Sequence, residues 1–268
     1  MKIDAKTVCA DLKKIREQRP LVHSITNYVV MNSTANALLS LGASPVMAHA
    51  EEEMEDMVAI ASALVINIGT LSKNWIIAMH KAMQVASEKN IPIILDPVGA
   101  GATKYRTDTV HALINNIRPS VIRGNASEIM AVHRAEDSQT KGVDSTHSSQ
   151  SALEAAKQLA KKFDCVVSIS GETDIIIGRD GIVEVHNGNK LMPLVTGLGC
   201  TASVITAAFC AVNDDYLSAS THAMALMGIC GENAAKKSHG PGSMQMNFID
   251  ELYNINDNTI INSLKLET

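Results

Sequence analysis

Short apolar runs recur along the chain and alternate with longer stretches in which apolar residues return every three or four positions. Ala63-Leu-Val-Ile-Asn-Ile68 and Ile91-Pro-Ile-Ile-Leu95 are nearly continuous runs, the pattern of buried strands, and Ser120-Val-Ile-Arg123 reads as another strand. Leu21–Asn27 is a short apolar piece ending in polar residues, and Ala43–Met47 and Asp164–Ser170 read as further strands. Val8, Leu12 and Ile15 mark one face of an N-terminal helix that stops near Pro20. Helices are expected over Val29–Leu41, Glu51–Ser62, Lys73–Lys89, Thr107–Ile117, from Ala126 to Val132, and over Leu153–Lys162. Ala135–Ser149, rich in Ser, Thr and Asp, reads as a surface loop. Asp174–Gly178 and Ile182–His186 flank Arg179-Asp-Gly181, a hairpin signature. A glycine-rich turn at Thr196–Gly199 opens a helix to about Val212, and two more helices cover Tyr216–Lys237 and Met244–Ile255, with Ser238–Gly242 a plain loop between them.

Strands alternating with helices predict an α/β fold: a mostly parallel central sheet, helices on both faces, and an antiparallel edge at the hairpin. With no internal repeat and no linker, residues 1–268 are expected to form one domain. Right-handed crossovers place the strand C-termini on one sheet edge, where ligands bind. Met47, Asn67-Ile-Gly69, Asp96-Pro-Val-Gly99 and Arg123-Gly-Asn125 all fall there.

Composition narrows the function. Of 268 residues, 46% are hydrophobic and 19% charged, so the chain is globular. A net charge of −5 without a basic cluster argues against nucleic acid as a partner. No apolar run is long enough to cross a bilayer, and no signal-peptide pattern opens the chain. The five cysteines lack C-x-x-C spacing, which argues against disulfides and zinc and for the cytoplasm.

The candidate chemistry centres on Pro193–Thr206. Gly197 and Gly199 precede Cys200 at a helix mouth, where unpaired N–H groups and the helix dipole form an anion site. Cys200 is either a small buried cysteine or a group at the reacting centre. Asp96, closing a strand before Pro97 and two glycines, suits either a turn or a carboxylate that holds Mg²⁺-bound water. Glu128 is either the capping-box partner of Asn125 or a member of the metal shell. Arg123 ends a strand where a guanidinium suits phosphate, with a surface salt bridge as the alternative. Gly197-x-Gly199-x-x-Ala202 formally fits a dinucleotide fingerprint, but it falls late in the chain and no acid-bearing strand follows. No Walker A motif is present; Gly231-Glu-Asn-Ala-Ala-Lys-Lys reads as a helix end. A thiol hydrolase needs a histidine paired with Cys200, and no pattern singles one out.

Taken together, Val22-His-Ser-Ile-Thr-Asn27, Gly42–Met47, Asp96–Gly101, Arg123–Glu128, Ser170-Gly-Glu172 and Val195–Cys200 resemble the hydroxyethylthiazole kinases. The resemblance runs from about Leu21 to Asn247 with the motifs in order. It implies a three-layer ribokinase-like fold and ATP- and Mg²⁺-dependent phosphorylation of 4-methyl-5-(2-hydroxyethyl)thiazole in thiamine salvage. It also implies Cys200 as the catalytic residue, where the wider group has Asp. Met47, Asn27 and Gly197 would contact the thiazole substrate, and Arg123, Ser170, Thr196 and Gly199 would hold ATP. Ser170 stands where the family has Thr. Asp96 and Glu128 would hold the metal through water, and the assembly would be a homotrimer with shared thiazole sites. A dehydrogenase and a non-catalytic nucleotide-binding regulator are the alternative functions.

Overall fold

A computed structural model describes residues 3–137, 149–179 and 181–268. Helix α1 (Ala5–Gln18) leads to strand β1 (Leu21–Ile25), helix α2 (Met31–Leu41) and strand β2 (Ser44–Val46). A 3-10 turn at Glu51–Glu53 precedes α3 (Met54–Ala59), β3 (Ala63–Asn67), α4 (Lys73–Glu88), β4 (Ile93–Asp96), α5 (Lys104–Asn116) and β5 (Val121–Asn125). Next come α6 (Ala126–Asp137), α7 (Ser149–Phe163), β6 (Val166–Ser170) and the hairpin of β7 (Asp174–Gly178) and β8 (Gly181–Val185). A 3-10 turn at Met192–Leu194 introduces α8 (Leu198–Cys210), then α9 (Tyr216–Lys237), α10 (Pro241–Asn254), α11 (Asp257–Ser263) and β9 (Leu266–Glu267).

The nine strands form one sheet in the order β2-β1-β3-β4-β5-β6-β7-β8-β9. Every neighbouring pair from β2 to β6 is parallel, and the pairs from β6 to β9 are antiparallel. This is the α/β arrangement that the alternating pattern predicts. Because β1 lies between β2 and β3, the winding reverses there, and a crevice opens beyond the carboxyl ends of β1 and β3.

Side chains alternate across the strands and build a layer on each face. Val22, Val65, Ile94, Val121 and Val166 join one core with α1, α2, α8, α9 and α10. Leu64, Ile66, Ile93, Leu95, Ile122 and Val167 join the other with α3 to α7. In α8 every residue from Thr201 to Cys210 is buried, so this helix is held by packing all round rather than along one stripe. Each fully buried aliphatic or aromatic side chain in it contributes roughly 1.5–3 kcal/mol.

Several boundaries differ from expectation, for local reasons. The Asn27 side chain accepts the Val29 N–H, an Asx turn that delays α2 from Val29 to Met31. Pro45 has no N–H for the ladder, and the edge strand shrinks from Ala43–Met47 to Ser44–Val46. The single helix expected over Glu51–Ser62 is a 3-10 turn followed by six residues of α-helix. Thr103 caps α5 by accepting the Arg106 N–H, so the helix starts at Lys104 rather than Thr107. The Ser238–Gly242 loop is shorter than expected because Pro241 takes the first position of α10. The Gly231–Lys237 segment is the C-terminal end of α9, as expected, with Gly231 packed against Met192. Helix α6 runs on to Asp137, and the rest of the predicted surface loop, 138–148, lies outside the described residues, as does Asp180 of the hairpin turn. Helix α11 and strand β9 had no counterpart in the sequence reading. Among the described residues no helix is long and apolar enough to cross a membrane.

Candidate active site

Strand parity aims the site. Asn67, Asp96 and Arg123 each lie two residues beyond an apolar residue, Val65, Ile94 and Val121, of the core that contains α8. Their side chains therefore leave the sheet on the α8 side, at its carboxyl edge. From α8, Cys200 and Ser203, three positions apart and so on one helix face, come down to meet them. Asn67 and Asp96 are direct register partners on β3 and β4.

A continuous set of hydrogen bonds results. Asn67 Nδ2 donates to Asp96 Oδ2 at 2.8 Å and to Cys200 Sγ at 3.2 Å. Asn27 Nδ2 donates to Asn67 Oδ1 at 3.0 Å and to Cys200 Sγ at 3.5 Å. Ser203 Oγ donates to Asp96 Oδ2 at 2.8 Å and accepts from the Arg123 guanidinium at 3.4 Å. Five side chains and a cysteine sulfur from β3, β4, β5, α8 and the turn after β1 are thus tied into one cluster.

Burial sets its electrostatics. Asp96 is 2% exposed, and its carboxyl is pushed up to about 6, chiefly by desolvation; Arg123, Ser203 and Asn67 oppose the rise, and nearby Glu128 adds to it. Desolvation, with the Asp96 charge, pushes the Cys200 thiol up to about 11 against the amide donors Asn67 and Asn27 and the Arg123 charge. Cys200 is therefore a thiol at neutral pH, although it sits in the first turn of a helix. Arg123 is 4% exposed, yet among the described residues its only hydrogen bond to a side chain is the long one to Ser203, and its Nε has no acceptor there. A buried cation with unsatisfied donors is costly unless an anion completes it. A Cβ on Gly199 would lie 3.9 Å from this guanidinium, so the glycine turn and Arg123 face the same space. No backbone acceptor pairs with the Gly199 or Cys200 N–H among the described residues.

Gly197 has φ +90°, and a Cβ there would lie 2.8 Å from Val30 Cγ1. Only glycine makes this turn without strain, and the turn brings α8 over the crevice. The fingerprint reading of the same glycines lacks its context: a 3-10 turn precedes them and a helix pair follows. Thr196 and Gly199 are exposed at the turn. Ser170 ends β6 in register with Asn125, its hydroxyl 3.4 Å from the Gly124 carbonyl. Met47 lies outside the bonded cluster, half-buried beyond the edge strand β2, its carbonyl accepting from His49 Nδ1 at 3.4 Å.

Glu128 takes its capping-box role and adds a bond to the neighbouring turn. Oε2 accepts the Asn125 N–H at 2.9 Å while Asn125 Oδ1 accepts the Glu128 N–H, a capping box. Oε1 accepts the Gly99 N–H at 2.9 Å and so holds the Asp96–Gly99 turn. The donor set nevertheless fits a hard cation. Asp96 Oδ1 has no partner among the described residues, and each Glu128 oxygen keeps a second acceptor site.

Sequence reasoning assigned no role to Asn67, Ser203, Arg106 or Asp174. Arg106 donates to the carbonyls of Ile68, Gly69 and Val98 at 3.0, 2.8 and 2.6 Å, tying together the turns after β3 and β4. Asp174 is buried near Arg123, and desolvation pushes it up to about 6 against the Gly171 N–H and the Arg123 charge. The place of Asn67 at a strand's carboxyl end, with its strand parity, was the signal that pointed at it; nothing local distinguishes Ser203, Arg106 or Asp174.

The fold is a ribokinase-like one. A ribokinase-like superfamily protein from Enterococcus faecalis superposes with a TM-score of 0.62, covering 87% of this chain and 86% of its own at 16% identity, a likeness of fold alone. Closer relatives settle the family. The hydroxyethylthiazole kinase family profile matches residues 12–258. The hydroxyethylthiazole kinase of Syntrophus aciditrophicus is 55% identical over 266 residues, 99% of this chain and 98% of its own. The solved structure of the hydroxyethylthiazole kinase protein from Pyrococcus horikoshii has a TM-score of 0.90 and 43% identity, covering 98% of each chain. This chain belongs to the hydroxyethylthiazole kinase family.

Proposed function

We propose that the chain transfers the terminal phosphoryl group of ATP to the hydroxyl of 4-methyl-5-(2-hydroxyethyl)thiazole, the hydroxyethylthiazole kinase step of thiamine salvage. The observation that carries this reading is the buried Arg123 guanidinium, short of acceptors and facing the Gly199 turn beside Asp96. Phosphoryl transfer asks the protein mainly for in-line positioning and charge compensation. Arg123, the Gly199 and Cys200 N–H groups and the α8 dipole supply positive potential; Ser170 and Thr196 line the same side and complete the ATP site. Asp96 and Glu128 would hold Mg²⁺ through water, and the ion would supply positive charge for the transferring phosphate. Asn27, Met47 and Gly197 hold the thiazole alcohol, with Cys200 at its hydroxyl. As a protonated thiol, Cys200 orients that hydroxyl and is no ground-state base; the alcohol loses its proton late. The working form is a cytoplasmic, single-domain chain that assembles as a homotrimer with thiazole sites shared between neighbours.

The test is ADP release from ATP and Mg²⁺ with and without the thiazole alcohol. Release that depends on the alcohol and yields its phosphate ester supports the kinase. Hydride transfer to a nicotinamide, or nucleotide binding without turnover, would establish one of the two alternatives instead. Sedimentation of an active monomer at micromolar concentration would remove the trimer.

A further inference from the structure

We propose that Asn67 is a positioning residue for phosphoryl transfer, its one side-chain NH₂ group holding both the Cys200 sulfur and the Asp96 carboxylate in place. The proposal rests on the kinase reading above. Asn67 closes β3 and is buried. Its orientation is set by its neighbours. The Gly69 N–H donates to Oδ1 at 2.9 Å, and a backbone N–H has no other role, so the oxygen faces the 67–69 turn and the NH₂ group faces the crevice. Asn27 Nδ2 donates to the same oxygen at 3.0 Å. The two hydrogens of the Asn67 NH₂ group are then committed, one to Asp96 Oδ2 and one to Cys200 Sγ, at 2.8 and 3.2 Å.

The sulfur accepts a second amide donor from Asn27 at 3.5 Å. A thiol that accepts from two fixed amides on one side directs its own S–H away from them. The free side of Cys200, which is only partly buried, is the crevice where the substrate hydroxyl arrives. Space is tight as well: a Cβ on Gly69 would lie 2.6 Å from Asn27 Nδ2, so the amide pair and the turn fit only as they stand. Asn67 itself acts through Cys200 and Asp96, not on the substrate.

The experiment compares Asn67→Asp and Asn67→Ala with the unsubstituted chain, using ATP, Mg²⁺ and the thiazole alcohol. Asp keeps the acceptor for Gly69 and Asn27 but removes both donors. Both variants are expected to lose roughly 10–100-fold in kcat, the usual cost of losing a group that orients a reacting side chain, with KM for ATP near the original. An Asp variant as active as the original chain would mean that Asn67 merely pins the turn, and would overturn the proposal. In a Cys200→Ala background the Asn67→Asp loss is expected to shrink, because the two residues act as one unit; an undiminished loss there overturns the link through sulfur. Alkylation by iodoacetamide supplies a readout independent of turnover, since the other four cysteines are buried. Slower alkylation of Cys200 in Asn67→Asp, which loses a donor that favours the thiolate and gains a carboxylate beside it, supports the proposal, and an unchanged or faster rate refutes it. If the unsubstituted chain shows no turnover with the thiazole alcohol, the kinase reading fails, and the alkylation rates alone judge Asn67.

Discussion

Ser203 Oγ donates to Asp96 Oδ2 at 2.8 Å across 107 positions of sequence, and both groups are buried. The same hydroxyl is the acceptor for Arg123, so one serine of α8 joins the carboxylate side of the site to its cationic side. Ser203→Ala leaves Asp96 one donor short and Arg123 without this partner. Leaving a buried charged group underbonded costs about 1–3 kcal/mol, so urea unfolding should show a loss of that order. Turnover should fall while thiazole binding holds. A variant with unaltered stability and turnover would show that the bridge is idle.

Arg123→Ala should weaken ATP use far more than thiazole binding. A charge-assisted hydrogen bond to phosphate is worth about 1.5–3 kcal/mol, and no other group in the cluster replaces it. Calorimetry with each ligand is the check. Equal losses for both would make Arg123 a structural residue.

Cys200→Ala should lower kcat by roughly one to three decades with ATP affinity little changed, because the backbone N–H of position 200 is kept. Isothermal titration with ATP and steady-state kinetics separate the two effects. A large loss of ATP affinity would place the sulfur at the nucleotide instead.

The Asp174 carboxyl, raised to about 6 by burial, makes stability depend on pH in a defined direction. The folded state holds this proton more tightly than the unfolded chain does. Its contribution to stability therefore rises as pH falls from about 7 towards about 4. Asp174→Asn keeps an acceptor for the Gly171 N–H and removes the titration. The variant should be the more stable of the two at about pH 7, and its advantage should shrink by about pH 5. Urea midpoints at both pH values decide, and an advantage that grows towards acid counts against the assignment.

Gly197→Ala should destabilise the fold by about 1–2 kcal/mol, since an L-residue at φ +90° is strained and its Cβ meets Val30. Thermal unfolding measures the cost. An alanine tolerated without loss would show that the turn has room to relax.

What the sequence determined by itself was periodicity and its consequences. Continuous runs such as Ala63–Ile68 and Ile91–Leu95 specify strands covered on both faces, and covered parallel strands require helices on each side. The order of the motifs along the chain carried the family resemblance, and with it the positions of Arg123, Asp96 and the Gly197–Cys200 turn. Period-2 alternation even settles which face Asn67, Asp96 and Arg123 leave from, once Val65, Ile94 and Val121 are seen to share their parity.

Tertiary structure alone decided what meets those side chains there. Ser203 and Asp96 are neighbours only because α8 lies across the carboxyl ends of the central strands, and no local pattern in Leu198–Cys210 states where a helix apolar on all sides will pack. Arg106 is an ordinary helix-surface arginine in sequence, and in the folded chain it closes two turns through three carbonyls. The protonation of Cys200 was equally out of reach. A helix N-terminus lowers a thiol pKa and burial beside a carboxylate raises it, and which wins depends on depth and distance, quantities that exist only once the chain is folded.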